Sequence, residues 1–135
     1  MRYFLIAAHG NFSSGIKSSI DIIAGKIENV FIIDAYSDGN KSIEDELGRI
    51  LSGMQANDEL IVCTDLMGGS ITNQLVRFAL QENVHIIAGM NLPLLLEIML
   101  ADAETPVTEI IENAITLARE QLVYVNKLIK KGNDD

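Results

Sequence analysis

Apolar residues fall along this chain in two alternating rhythms. Four short continuous runs, Tyr3 to Ala8, Val30 to Ala35, Leu60 to Thr64 and Val84 to Ala88, each end in small or polar residues. They are too continuous for strands with one wet face and too short for buried helices, so they read as strands covered on both sides. Between them the period lengthens. Ile16, Ile20, Ile23 and Ile27 recur at spacings of four, three and four, with Lys17, Ser18, Asp21 and Lys26 on the opposite face. Ile43, Leu47, Ile50 and Met54 repeat the pattern, and Ser42 with Asp45 gives a weak capping-box start. A third helix is predicted over Ser70 to Gln81, carrying Ile71, Leu75 and Phe78, and a short fourth over Leu94 to Leu100. Thr105-Pro106 opens a longer fifth, with threonine as N-cap and a stripe of Val107, Ile111, Ala114, Ala118 and Leu122.

Strands alternating with helices at this rhythm mean βαβ units, and right-handed crossovers then put helices on both faces of a parallel sheet. The predicted fold class is α/β: one domain spanning residues 1–135, built on a doubly wound sheet of four strands. The end of the chain reads two ways, since Val123-Tyr124-Val125 favours a strand whereas Glu120 to Lys131 could continue the helix.

Composition narrows the class of function. The chain has 135 residues, 10 Lys+Arg against 19 Asp+Glu, a formal charge of −9, and 48% apolar residues. Acid spread along the chain without a basic cluster argues against nucleic acid and anionic membrane surfaces as partners. One cysteine, Cys63, forms no internal disulfide, and no Cys/His cluster has metal-ligand spacing, so neither a metal nor an oxidising compartment is called for and a cytoplasmic setting fits. The apolar start, Tyr3 to Ala8, is too short for a signal peptide. The stretch His85 to Ala101 is interrupted by Asn91, Pro93 and Glu97, which a membrane span would have to bury.

Candidate chemistry follows from the fold. In an open doubly wound sheet, ligands bind outside the carboxyl ends of the strands where strand order reverses. That rule selects the loops His9-Gly10-Asn11-Phe12-Ser13-Ser14-Gly15, Asp65-Leu66-Met67-Gly68-Gly69-Ser70 and Gly89-Met90-Asn91-Leu92-Pro93. In the order 2-1-3-4, strands one and three are neighbours, so His9 and Asp65 leave adjacent strand tips. A carboxylate on one ring nitrogen fixes a histidine's tautomer and makes the other nitrogen a better nucleophile. Gly68-Gly69-Ser70, just before a helix, offers backbone N–H groups and a hydroxyl to an anion such as phosphate. Plainer roles stand beside these. His9 could be a loop residue, Asp65 could cap a turn, and Gly10, Gly68 and Gly69 could serve tight turns alone. His85 and Cys63 lie inside strands and read as structural, Met90, Met99 and Leu94-Leu95-Leu96 as core or subunit interface, and Lys127, Lys130 and Lys131 as a solvated tail.

At these loops the chain resembles the IIA component of the bacterial phosphoenolpyruvate-dependent sugar phosphotransferase system, mannose (mannose/fructose/sorbose) class. Three blocks carry the likeness: Ile6-Ala7-Ala8-His9-Gly10 with Ser14-Gly15, Thr64-Asp65-Leu66-Met67-Gly68-Gly69-Ser70 with Asn73, and Ala88-Gly89-Met90-Asn91-Leu92-Pro93-Leu94-Leu95-Leu96-Glu97. The resemblance implies that His9 accepts phosphate from the phosphocarrier protein HPr and passes it to a histidine of the IIB component, which serves the membrane components IIC and IID. It implies that Asp65 holds Nδ1 of His9 so that Nε2 reacts, that Ser70 and nearby backbone amides contact the phosphoryl group, and that no cofactor, nucleotide or metal takes part. It further implies a homodimer, formed in the family by exchange of a C-terminal antiparallel edge strand, which would be the fifth strand here. The chain departs from the family in having Ile71 where proline often follows Gly-Gly-Ser, and in its C-terminal tail. A phosphate that must meet two proteins in turn calls for a shallow site rimmed by apolar side chains, with Phe12, Leu66 and Met67 as docking residues. Acids near His9, Glu97 or Asp38, would steer a basic partner patch. The alternatives are the phosphodonor subunit of a dihydroxyacetone kinase and a non-catalytic flavodoxin-like anion-binding module.

Overall fold

A computed structural model describes residues 1–36 and 42–133. It divides into two compact units, the first Met1–Leu92 and the second beginning at Pro93. The first unit is a parallel sheet of four strands, β1 (Arg2–His9), β2 (Val30–Ala35), β3 (Glu59–Thr64) and β4 (Val84–Ala88), in the order β2-β1-β3-β4. This is the predicted topology. The register sets Ala8 against Asp34, His9 against Ala35, and Ala7 against Thr64, so the carboxyl tips of β1, β2 and β3 lie side by side.

β1 and β3 are central, which is why their side chains are apolar on both faces. Leu5 and Ala7 of β1 with Leu60 and Val62 of β3 meet Ile43 and Leu47 of α2 (Ile43–Ser52) and Ile71 and Leu75 of α3 (Ser70–Leu75). Each such fully buried leucine or isoleucine contributes about 1.5–3 kcal/mol. The alternate residues Phe4, Ile6 and Ala8 point to the other face, and α1 (Phe12–Ala24) packs on β1 and β2. The right-handed rule explains the split, since the chain steps one way from β1 to β2 and the other way from β2 to β3.

The helical stripes are mostly as expected, with instructive departures. Ile20 is buried, but Ile23 is exposed and Ile27 lies past the helix; Ser13 takes the first inward position of α1. Ser42 caps α2 by accepting from the Asp45 N–H at 3.3 Å. The predicted helix over Ser70 to Gln81 divides into α3 and a 3-10 segment, Val76–Leu80.

The second unit holds α4 (Leu92–Met99) from its second residue onward, α5 (Val107–Glu120) and α6 (Val125–Asn133). Pro106, not Thr105, occupies the N-cap of α5, because the Thr105 N–H and hydroxyl both turn back to the Asp102 carboxylate, at 2.8 and 3.0 Å. The buried stripe of α5 runs Val107, Ile110, Ala114 and Ala118, while Leu122 lies beyond the helix and is exposed. The expected fifth, antiparallel edge strand does not form among the described residues. Leu128 and Ile129 follow Val125 at spacings of three and four, with Asn126 and Lys127 between and Lys130 after, and this helical period wins over the three-residue Val123-Tyr124-Val125 run. Lys127 and Lys130 are exposed, as expected of a solvated tail; the Lys131 side chain and Asp38 lie outside the described residues. Among those residues, no helix is long and apolar enough to cross a membrane.

Candidate functional site

The site is built from three strand tips. β1 ends at His9, and Gly10 turns the chain into α1 with φ 57°, donating its N–H to the Ala35 carbonyl at 2.9 Å. β3 ends at Thr64, and the next residue, Asp65, reaches sideways to the neighbouring tip. One carboxylate oxygen, Oδ2, accepts from the backbone N–H of His9 at 2.9 Å and lies 2.7 Å from Nδ1 of its ring. This double contact fixes both the backbone and the rotamer of His9. It also fixes the tautomer, because an ionised carboxylate only accepts: Nδ1 carries the proton and Nε2 the lone pair.

Asp65 is well suited to remain ionised. Burial pushes its carboxyl upward, but the backbone N–H and ring of His9 outweigh burial and hold it below the ordinary value of 3.8. Its other oxygen, Oδ1, is buried with no partner among the described residues. Through Oδ2 the anion is directed at His9.

The loop carrying Asp65 is pinned from beneath. Thr72 donates its hydroxyl to the Leu66 carbonyl at 2.6 Å, so the buried Thr64 hydroxyl, 2.6 Å away, must donate to Thr72. Gly68 stands at φ 77°, where a side chain is strained. At Gly69 a Cβ would come within 3.3 Å of Leu66 Cβ and 3.8 Å of His9 Cε1, so this glycine leaves room beside the ring. Ser70, the first residue of α3, places its hydroxyl 3.4 Å from Nε2 of His9.

The site is open. The His9 side chain is 41% exposed against 13% for Asp65, and its Nε2 lies on the side of the ring away from the acid, 3.4 Å from the Ser70 hydroxyl. Phe12, Leu66 and Met67 are all exposed, the last at 81%.

The structure therefore brings together His9, Asp65, Gly69 and Ser70, with Gly10 and Gly68 shaping the two turns. Residues 3–115 match the EIIA-man family model, described as the PTS system fructose IIA component. The chain belongs to this family. It is 22% identical over 129 residues to the fructose-specific EIIA component of Bacillus subtilis, covering 94% of this chain and 88% of that one. To the mannose-specific EIIAB component of Escherichia coli K12 it is 26% identical over 119 residues, 86% of this chain and 37% of the longer protein. The crystal structure of phosphotransferase component EIIA from Streptococcus agalactiae superimposes with a TM-score of 0.81 at 30% identity, covering 94% and 99% of the two chains. This IIA protein is accordingly a component of the sugar phosphotransferase system, mannose class, with the phosphocarrier role that membership implies.

Sequence reading missed three members of the site. Tyr36, at the tip of β2, lays its ring on His9 and bonds Ser70 through its hydroxyl. Asp34 accepts from the Ser14 N–H at 3.0 Å and so anchors the start of α1. Thr72 pins the Asp65 loop. The signal for Tyr36 was available, since the rule that selected the tips of strands one and three applies equally to strand two, the other neighbour of strand one. Elsewhere, Cys63 is buried in β3, which pushes its thiol up to about 12, in keeping with a core role. Glu97 is exposed on α4 in the second unit.

Proposed function

We propose that His9 is the residue that carries phosphate: Nε2 accepts a phosphoryl group from phospho-HPr and yields it to a histidine of the IIB component. The observation that carries this reading is the 2.7 Å contact of Nδ1 with Asp65, which leaves Nε2 unprotonated and outward. In the transfer the Nε2 lone pair forms the new N–P bond while the donor's N–P bond breaks, its electron pair remaining on the donor nitrogen. No proton need move. The His9 ring becomes positive, and the Asp65 carboxylate on its far side offsets that charge. Returning the phosphoryl group to IIB reverses the same steps.

Transfer between two protein-bound histidines demands positioning and charge stabilisation more than covalent chemistry. The Ser70 hydroxyl, with backbone N–H groups around Gly68 and Gly69, supplies donors for the phosphoryl oxygens, and Phe12, Leu66 and Met67 supply the apolar rim on which HPr and IIB dock in turn. The protein works in the cytoplasm and reaches the membrane components IIC and IID only through IIB. The exposed apolar run Leu122 to Val125, continued by Leu128 and Ile129, supports a homodimer, which sedimentation equilibrium tests.

Incubation with phosphoenolpyruvate, enzyme I and HPr is expected to place an acid-labile phosphate on the chain, and His9→Ala is expected to abolish it. Persistent labelling of that variant would sink the assignment.

A further inference from the structure

Tyr36 is placed in a way that its position in the sequence does not explain. It follows the last residue of β2 with φ 66°, in the left-handed region that a bulky side chain avoids. This conformation carries its ring over the active histidine: the centroids of Tyr36 and His9 are 5.5 Å apart at 38°. The hydroxyl lies 2.9 Å from Ser70 Oγ, and the Gln74 amide donates to the same hydroxyl at 3.4 Å. Strained backbone held by several contacts beside a reactive group is a mark of a functional position.

The hydrogens in this cluster can be placed. At one end, the Gln74 NH2 donates to the Tyr36 oxygen. At the other, Nε2 of His9 only accepts, because Asp65 keeps the ring proton on Nδ1. The two hydroxyls between have one proton each. Tyr36 therefore donates to Ser70, and Ser70 donates to Nε2 over 3.4 Å. A chain running in one sense, with each hydroxyl polarised by the donor behind it, strengthens the last link.

We propose that Tyr36 is a positioning residue of the His9 site: through Ser70 it aims a hydroxyl proton at Nε2, where a phosphoryl oxygen takes its place once the N–P bond forms. The inference rests on the phosphocarrier reading for its consequence, but not for its geometry. The long Ser70 to Nε2 contact is weak enough to be displaced by an incoming phosphorus. The donor is left already pointing at the charge that arrives.

The test uses Tyr36→Phe, which keeps the ring on His9 and removes only the hydroxyl. The ¹⁵N resonance of Nε2 in the unphosphorylated protein reads the chain directly. In Tyr36→Phe it is expected to move towards that of an unbonded ring nitrogen, in the same sense as in Ser70→Ala, and the double variant is expected to move no further than Ser70→Ala alone. Phosphorylation by phospho-HPr is expected to slow by about three- to tenfold in Tyr36→Phe, the worth of one hydrogen bond, and by no additional factor when Ser70 is already alanine. An unchanged Nε2 resonance, or effects of the two substitutions that simply add, would overturn the proposal. Should the wild-type protein take no label from phospho-HPr, the phosphocarrier reading fails, and the resonance still decides the role of Tyr36.

Discussion

Two histidine–carboxylate pairs stand at opposite ends of the same sheet. At the carboxyl ends, His9 Nδ1 meets Asp65 at 2.7 Å; at the amino ends, His85 Nε2 meets Glu59 at 3.2 Å. The groups are alike, yet the nitrogens are reversed. His9 gives Nδ1 to the acid and turns Nε2 to the Ser70 hydroxyl. His85, within β4 and opposite Ile61 in the register, gives its outer nitrogen to the acid, and its side chain is only 17% exposed. The surroundings differ as well. His9 is flanked by turns at Gly10 and Gly68 and by the Ser70 hydroxyl, whereas His85 lies within β4, in register with β3. On the proposed function, the difference between the two ends lies in which nitrogen the carboxylate occupies and in the loops beside the other one.

The broadest test of this contrast exchanges the two histidines for alanine one at a time. His9→Ala is expected to lose phosphorylation completely while His85→Ala labels at the wild-type rate, measured as incorporation of radioactive phosphate from phosphoenolpyruvate through enzyme I and HPr. Equal losses in both would erase the distinction between the two ends.

Asp65→Asn comes next. An amide keeps the shape but cannot offset the positive ring, so the phosphorylation rate is expected to fall on the order of a hundredfold while the fold survives. Acid reveals the same interaction. The Asp65 carboxyl is held below its ordinary 3.8, so the stability it contributes is fully present above that value and is lost as pH falls through the lowered folded value. Denaturant unfolding near pH 7 and near about pH 3 is expected to show a smaller loss for Asp65→Asn than for the wild type. Identical acid dependence in the two proteins would mean that Asp65 is not paired with His9 in solution.

How much of this was legible beforehand differs from residue to residue. The four strands were plain because their runs of apolar residues, buried on both faces, have no competing period. Once the order placed β1 beside β3, His9 and Asp65 had to leave adjacent tips. Tyr36 escaped because its role depends on a left-handed backbone at one residue, which overrides side-chain preference and leaves no periodic trace. Thr72 escaped because a threonine beside the stripe of Ile71 and Leu75 looks like an ordinary helix residue until the Leu66 carbonyl is seen 2.6 Å away. The tail was misread in one of its two senses, where three β-favouring residues, Val123-Tyr124-Val125, competed with the helical spacing that follows them.

Thr72→Val sharpens the comparison from the side of the scaffold. It preserves shape and removes the hydroxyl that ties the Asp65 loop to β3, leaving the buried Thr64 hydroxyl and the Leu66 carbonyl without their partner. A loss of about 1–3 kcal/mol is expected from denaturant unfolding, with a modest fall in phosphorylation rate as Asp65 loses its fixed position. Glu59 stands in a different setting, its carboxylate on the first residue of β3 with the side chain 37% exposed.

The smallest effect is expected at that other end. Glu59→Gln replaces the acceptor of His85 with an amide that can still bond the ring, in a place where solvent screens what charge interaction there is. Thermodynamic stability is expected to change by less than about 1 kcal/mol, and phosphorylation not at all. The comparison gains from how little happens. Glu59 and Asp65 begin and follow the same strand, each holding a histidine of a neighbouring strand, so similar losses from Glu59→Gln and Asp65→Asn would mean that any histidine–carboxylate contact on β3 has the same weight. A loss confined to Asp65→Asn instead assigns the difference to burial, to the second N–H that His9 gives its acid, and to the nitrogen left facing outward.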